Sequence, residues 1–316
     1  MDIMDKLAET GYWFVYISLE LTVLFLVISF IIGVITTYFS PQRIKSTLER
    51  HGKGPLGNAL GATLGGLLPF CSCSSIPVLI GLINVGVPFR IAMSFLVASP
   101  LGVFNPVVIS LFSALFGLRV ALAYIVTTFI AAVLAGMVLN WLGLAGQTRK
   151  VAVTGGAENI DAIIVAEGTT RWERTKPRLS KSWRFTRDLY KKMLPFMLGG
   201  VAVGAFIHGF VPEGFLAQYA GQSNPFAVPL AAAIGVPMYI RTSTMIPIAS
   251  ALVGKGVGLG TVMALIIGGA GASIPELSLL AAIFKKKLFI AYIITIFLIA
   301  TLIGLLFNFL AGQQLL

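Results

Sequence analysis

Two prolines bracket the cysteines of this chain in one run, Pro69-Phe70-Cys71-Ser72-Cys73-Ser74-Ser75-Ile76-Pro77. The run lies in strongly apolar sequence and holds both cysteines of the chain. Proline has no amide donor and biases the residue before it toward extended backbone, so we expect an interrupted helix here. If residues 71–73 are extended, both sulfurs lie on the same side, whereas a helix places them about 200° apart. Unwound backbone at membrane depth is tolerated only when it is buried in protein or lines a wet cavity, so the run predicts a working site.

Composition places the chain among polytopic membrane proteins. Its 316 residues are 57% hydrophobic and 11% charged, with a mean hydropathy of +0.92, whereas soluble domains carry about 25% charged residues. We therefore expect an all-α fold. Apolar segments cover 12–39, 56–70, 74–85, 90–115, 118–142, 193–211, 226–240, 243–254, 259–283 and 288–310. The second, third, seventh and eighth are shorter than the roughly 20 residues of a full crossing, which makes them candidate half-helices or re-entrant pieces.

The distribution of charge argues against nucleic-acid binding. The net charge is +11, but the basic residues cluster between apolar segments, at 43–53, 149–192 and 285–287. Such clusters are typical of cytoplasmic loops. No nucleic-acid-binding module accompanies them, so we expect no nucleic-acid partner. Basic and aromatic residues also alternate in 171–190, which is typical of a helix on the cytoplasmic membrane surface.

The chain repeats itself on either side of a polar connector. With an offset of 168 residues, Ala123-Tyr124-Ile125 matches Ala291-Tyr292-Ile293, and with an offset of 170, Gly86-Val87 matches Gly256-Val257. Ordered matches of this kind indicate duplication, as in internally repeated transporters. We predict a first transmembrane repeat at 1–142, a cytoplasmic connector at 143–192 and a second transmembrane repeat at 193–316.

Charge also predicts that the two repeats are inverted. The loop after the first apolar segment is basic at 43–53, so it should be cytoplasmic, with the acidic N-terminus outside. Its counterpart after 193–211 carries Glu213 and no basic residue, so it should lie outside. We therefore expect two inverted-topology repeats of about five transmembrane or half-membrane helices each, with broken helices meeting near the midplane.

Each repeat has two interruptions rich in proline, glycine and hydroxyl residues. They fall around 69–77 and 98–106 in the first repeat and around 235–247 and 268–276 in the second. Free amides and carbonyls at such breaks can bind ions, and helix N-termini favour anions. The candidate substrate-binding residues are Cys71, Ser72, Cys73, Ser74, Ser99, Asn105, Arg241, Thr242, Ser243, Thr244 and Ser273.

The candidate site combines soft and charged groups. Cys71 and Cys73 offer two soft donors that suit Cu(I), Zn(II) or another thiophilic centre, although two thiolates leave a tetrahedral zinc site incomplete. The plain alternative is that they are small buried side chains. Arg241 and Glu276 lie in apolar sequence, where a central charge costs at least about 2.5–3.5 kcal/mol on insertion scales. Either they neutralise one another, or Arg241 anchors an anionic group while Glu276 takes part in proton coupling.

The interrupted runs resemble those of a known family. The cysteine run, followed by Gly86-Val87-Pro88 and Ala98-Ser99-Pro100, is similar to the predicted permeases that include YraQ and the organoarsenical permease ArsP. The second-repeat runs Met238–Thr244 and Gly268–Glu276 look closer to the YraQ branch. The resemblance implies inner-membrane permease activity, with some relatives associated with efflux of trivalent methylated arsenicals or of copper and zinc.

These observations predict a transporter and not an enzyme. We expect a secondary permease that moves a thiophilic metal or metalloid ion, or a small sulfur-containing species, by alternating access in the efflux direction. The alternative is a membrane thiol–disulfide redox protein that uses Cys71 and Cys73. We expect a multi-pass protein of the cell (inner) membrane without a cofactor. Its expected partners are membrane lipid and a small-molecule or ion substrate, and self-association into a homo-oligomer stays open.

Overall fold

The computed structural model describes residues 3–38, 54–67, 72–84, 86–149, 171–210, 226–236, 242–254 and 256–313. The helices before residue 150 are α1 (Ile3–Tyr38), α2 (Pro55–Leu67), α3 (Ser72–Asn84), α4 (Phe89–Leu101), α5 (Pro106–Phe116) and α6 (Leu118–Trp141). Those after residue 170 are α7 (Arg171–Phe210), α8 (Ala227–Gly235), α9 (Thr242–Gly254), α10 (Leu259–Gly271), α11 (Ile274–Ile283) and α12 (Lys286–Gly312). An isolated antiparallel bridge joins Thr148 and Phe284.

The helices have the length and composition of membrane spans. Within the described ranges, three single helices are long and apolar enough to cross a membrane: α1 (over Phe14–Ile31), α6 and α12. Two bent pairs, α4 with α5 and α10 with α11, are long and apolar enough only when both helices of the pair are taken together, and they are bent by 48° and 43°. This confirms the predicted class of an all-α polytopic membrane protein. The described ranges also show that the predicted single segments 90–115 and 259–283 are each two helices.

Burial identifies the centre of the molecule and its lipid face. The helices α4 and α10 are buried along almost their whole length and pack against one another. By contrast, α1, α6 and α12 expose large apolar side chains at every fourth position, for example Leu122, Val126 and Ile130 on α6. Positions four apart share one face of a helix. The long helices therefore present apolar stripes outward, around a core centred on α4 and α10.

The residues between the two helices of each bent pair determine how one helix ends and the next begins. Gly102 follows α4 in the left-handed conformation (φ 57°), which glycine adopts without steric cost. Asn105 then caps α5 by accepting a hydrogen bond from the Val107 amide at 3.0 Å, and Pro106 occupies the first turn. In the second half Ser273 stands at the same position before α11 and makes no side-chain cap hydrogen bond.

The prediction of extended backbone at the cysteines is wrong over the part that the structure describes. Helix α3 begins at Ser72, so Ser72 and Cys73 are helical, and the helix continues through Pro77. Proline removes only the bond that its amide would donate to the carbonyl four residues earlier, which here is that of Cys73. Pro247 has the same relation to the Ser243 carbonyl in α9. Both helices therefore continue with one carbonyl in the first turn lacking its usual helical donor.

The helices α1 and α7 extend beyond their apolar segments. Residues 171–192 of the predicted connector form the first half of α7 and continue without a break into its apolar part. They pack against α1 through Trp183 and Tyr190. The basic and aromatic stretch is therefore part of a 40-residue helix and not a separate surface helix.

Equivalent helices of the two halves run antiparallel. The hydroxyls of Thr22 on α1 and Tyr190 on α7 are 3.3 Å apart, and these residues are separated by 168 positions, which is the repeat offset. Further along α1, Phe30 meets Trp183, which comes earlier in α7. The contact therefore moves forward along one helix and backward along the other.

The helices α6 and α12 are arranged in the same way. The segment after α6 pairs with the residues before α12, since the Lys285 amide donates to Gln147 O at 2.8 Å and the Arg149 amide donates to Ile283 O at 2.6 Å. The end of α6 and the start of α12 are therefore at the same end of the molecule, and α6 packs against α12.

Small residues allow matching close approaches in the two halves. A Cβ added to Gly136 on α6 would overlap Ser94 and the Arg90 carbonyl on α4, and a Cβ added to Gly304 on α12 would overlap the Gly260 carbonyl on α10. Neither helix pair could keep its present spacing with a larger residue at these points.

We expect Gly136→Ala and Gly304→Ala to destabilise the protein, by about 1–3 kcal/mol each, because the added methyl overpacks a helix contact. The control is Gly199→Ala on α7, where an added Cβ meets nothing within 4 Å. That substitution should be neutral or slightly stabilising through helix propensity. Thermal unfolding of the purified variants in detergent is the measurement. Equal melting temperatures for all three variants would contradict the packing argument.

Candidate functional site

The described candidate residues lie at the ends of the broken helices. Ser99 lies in the last turn of α4, Asn105 precedes α5, Thr242 begins α9, Ser273 precedes α11, and Glu276 lies in the first turn of α11. Cys71 and Arg241 lie outside the described residues. Ser72, Cys73, Ser74, Ser243 and Thr244 belong to the first turns of α3 and α9, and their side chains also lie outside the described part.

One hydrogen bond joins the two halves at this place. The Thr242 hydroxyl at the start of α9 donates to the Pro100 carbonyl near the end of α4 at 3.3 Å, and the Thr242 side chain is buried. The helices α5 and α9 pack together, as do the equivalent helices α11 and α3. The start of α9 therefore meets the bend of the first half.

Glu276 is the charged residue that the structure buries at the second bend. Its side chain is 0% exposed, and Oε1 lies 3.4 Å from the Tyr292 hydroxyl on α12. The first turn of a helix is the position where the helix dipole best stabilises a carboxylate. Glu276 is thus placed at the helix position where a negative charge is least costly.

Ser273, three residues before Glu276, adds a buried hydroxyl at the start of α11. The residue is 3% exposed, and its Oγ has no hydrogen-bond partner among the described residues. An unsatisfied buried polar group costs about 1–3 kcal/mol. The N-terminus of α11 is also without a side-chain cap, so its first amides and Ser273 Oγ together offer donors to an anionic or polar group.

The structure describes no group of three or more His, Cys, Asp or Glu side chains that could hold a metal ion, within the ranges given above. The sulfurs of Cys71 and Cys73 are outside those ranges, so their role as soft ligands stays a prediction. The same holds for the pairing of Arg241 with Glu276.

Two tyrosines are the residues that sequence reasoning missed. Tyr124 donates to the Leu101 carbonyl at 2.8 Å, and Tyr292 donates to the Gly271 carbonyl at 2.9 Å. Each accepting carbonyl is at the end of the helix that precedes a bend, and both rings are buried. The signal was present in the sequence, because both tyrosines belong to the Ala-Tyr-Ile match between the repeats.

Comparison with known proteins gives one family. The ArsP_1 family model, described as a predicted permease, matches residues 6–309. UPF0718 protein MJ0584 of Methanocaldococcus jannaschii is 23% identical over 295 residues, covering 78% of this chain and 80% of that protein. UPF0718 protein YcgR of Bacillus subtilis is 23% identical over 295 residues, covering 92% and 95%. No solved structure matches the chain significantly. The family match confirms the resemblance indicated by the interrupted runs.

Proposed function

The chain belongs to the predicted permease family, and we propose that it is a secondary transporter for a thiophilic metal or metalloid ion or a small sulfur-containing species. Export by alternating access is the proposed mode. The observation that carries the proposal is the buried Glu276 carboxyl at the second bend. Ionisable residues inside membrane proteins commonly mark substrate pathways and proton relays.

An inverted repeat accounts best for the arrangement of the helices. The helices α1 and α7 are separated by the repeat offset and run antiparallel, and α6 and α12 do the same. An axis in the membrane plane relates the halves of many secondary transporters in this way, with the substrate site at the interface of the halves near the midplane. Thr242 and Pro100 meet at that interface.

Within this frame each candidate residue has a proposed role. Cys71 and Cys73 act as soft ligands, and Arg241 anchors an anionic or thiolate group. Glu276 couples transport to protons or neutralises Arg241. The surrounding hydroxyl and amide groups complete the polar wall of the site and bind the substrate; they are Ser72, Ser74, Ser99, Asn105, Thr242, Ser243, Thr244 and Ser273.

Alternating access would use the bends as hinges. The substrate enters from the cytoplasm while the halves are open on that side, and it binds between the bends. Exchange with a proton at Glu276 accompanies the opposite opening of the halves. The family match supports this transport scheme over the alternative of a thiol–disulfide redox protein.

Flux into proteoliposomes tests the substrate class. The panel is arsenite, methylarsenite, Cu(I), Zn(II), sulfite, thiosulfate and glutathione. We expect flux of at least one of these species, and we expect Cys71→Ser and Cys73→Ser each to reduce it strongly because a soft ligand is lost. Ser110→Ala, an exposed position on α5, is the control for removal of a polar group. Undiminished flux in both cysteine variants contradicts the soft-ligand role.

The coupling role of Glu276 is tested with an imposed pH gradient. We expect Glu276→Gln to abolish the dependence of flux on the gradient, because the amide cannot exchange a proton. Glu20→Gln, a carboxyl that is half-buried on α1, is the matched control and should keep the dependence. If Glu276→Gln keeps it as well, Glu276 has no part in coupling.

Inverted topology predicts that equivalent positions face opposite sides of the membrane. Arg119 at the start of α6 and Lys287 at the start of α12 are both exposed and are separated by the offset of 168. In a Cys71→Ser/Cys73→Ser background, Arg119→Cys should react with an impermeant maleimide in intact cells. Lys287→Cys should react only after permeabilisation, because the basic run at 285–287 is cytoplasmic. Labelling of both positions from the same side would rule out the inverted repeat.

A further inference from the structure

Tyr292 lies within hydrogen-bonding distance of two acceptors at the second bend. Its hydroxyl is 2.9 Å from the Gly271 carbonyl and 3.4 Å from Glu276 Oε1. Both side chains are 0% exposed. A phenol has one proton to donate, so the two acceptors compete for it. The shorter distance shows that the Gly271 carbonyl holds the stronger bond in this conformation.

The first half has the same hydrogen bond without the competitor. Tyr124 donates to the Leu101 carbonyl at 2.8 Å. With the offset of 168, the residue that corresponds to Glu276 is Val108, which is buried in α5 and has no polar side-chain atom. The two bends therefore share one structural bond, and a carboxyl accompanies it at the second bend.

We propose that Tyr292 is a positioning residue that couples the protonation state of Glu276 to the second bend. With Glu276 protonated, the tyrosine bonds to Gly271 and ties the end of α10 to α12. When Glu276 ionises, the carboxylate becomes the stronger acceptor, since hydrogen bonds to charged groups are about twice as strong as neutral ones. The tyrosine then turns its hydrogen bond to Glu276 and releases the Gly271 carbonyl. Tyr292 keeps its own proton throughout.

The switch of the hydrogen bond from one acceptor to the other affects only the second bend. Gly271 ends α10 and Glu276 lies in the first turn of α11, so the two acceptors are on opposite sides of the bend. Moving the bond from one to the other loosens the attachment of α10 while α11 stays attached to α12. Among the described residues the first bend has the carbonyl acceptor and no carboxyl, so its attachment does not follow the protonation of a carboxyl. The second half therefore carries the proton-sensitive hinge.

The ionisable residues considered around Glu276 come from the described helices that pack against α11. Among the described helices, α3, α7 and α12 pack against α11. Tyr292 contacts Glu276 from α12. From α7, Gly200 approaches Pro275 and Ser278, and the charged residues Lys191 and Lys192 of the same helix are exposed about two turns before Gly200. Cys73 on α3 and His208 on α7 have side chains outside the described residues.

This inference rests on the proposed function only for its use in transport, so its test needs no substrate. The test is hydrogen–deuterium exchange of the full chain in lipid nanodiscs, over a pH series from about 5 to about 9, which covers the range of buried carboxyls. The exchange rate of the second bend, 268–277, is divided by that of the first bend, 98–108, in the same sample. This ratio removes the intrinsic effect of pH on amide exchange.

We expect the ratio to rise with pH by about twofold to tenfold in the wild type, which corresponds to the loss of one net hydrogen bond. Glu276→Gln should keep the low ratio at every pH, because the amide stays neutral. Tyr292→Phe should show a high ratio that does not change with pH. Tyr124→Phe is the matched control and loses the equivalent bond in the first half, so its ratio should fall overall and still rise with pH.

Three results would overturn the proposal. The first is an exchange ratio that does not change with pH in the wild type. This result needs no variant, so the proposal can be tested even if a mutant folds poorly. The second is a ratio that still changes with pH in Tyr292→Phe, and the third is a ratio that no longer changes with pH in Tyr124→Phe. The outcome is separate from the transport tests. If the ratio responds to pH while flux in Glu276→Gln still follows the gradient, the hinge stands and the coupling role of Glu276 fails.

Discussion

The need to satisfy backbone polar groups inside lipid governs this structure. Hydrocarbon provides no hydrogen-bond partner, so a bend at membrane depth must find its partners within the protein. Tyr124 and Tyr292 provide them for the carbonyls of Leu101 and Gly271. Each tyrosine lies on the long helix that follows its bend, so the same hydrogen bond closes the bend and ties the bent pair to its neighbour. Because the tyrosines satisfy these carbonyls, α4 and α10 can be buried at the centre, while the surrounding long helices expose apolar stripes.

The two similar halves differ at a few side chains, and some of these differences place a polar group in one half where the other half has an apolar side chain. At the second bend Glu276 corresponds to Val108 of the first. Between α2 and α4, Asn58 donates to Ser94 at 3.1 Å, whereas the corresponding positions of the second half, with the offset of 170, are Val228 and Ala264. At each of these places one half has polar side chains where the corresponding positions of the other half are apolar. The proton-sensitive hinge that we propose for the second bend depends on this difference.

Much of the frame could be predicted from local sequence. The apolar segments, the bends at 102–105 and 272–273 and the repeat all follow from glycine, proline and hydropathy, which act within a few residues. The prediction failed where a local rule was applied too strictly. Pro77 removes one hydrogen bond, but the neighbouring turns of α3 keep the helix intact. Likewise, the charge of 171–192 predicted a separate surface segment. In the structure these residues belong to one continuous helix, and Trp183 and Tyr190 pack against α1.

The sequence by itself determined that this is an all-α membrane protein and predicted two related halves, because composition, periodicity and repeated motifs are local properties of the chain. Only the tertiary structure decided which residues share a site. Thr242 meets Pro100 across 142 residues, and Tyr292 meets both Gly271 and Glu276. No local pattern encodes these contacts, since they depend on how helices far apart in sequence pack. The proton-sensitive hinge proposed for the second bend depends on this packing.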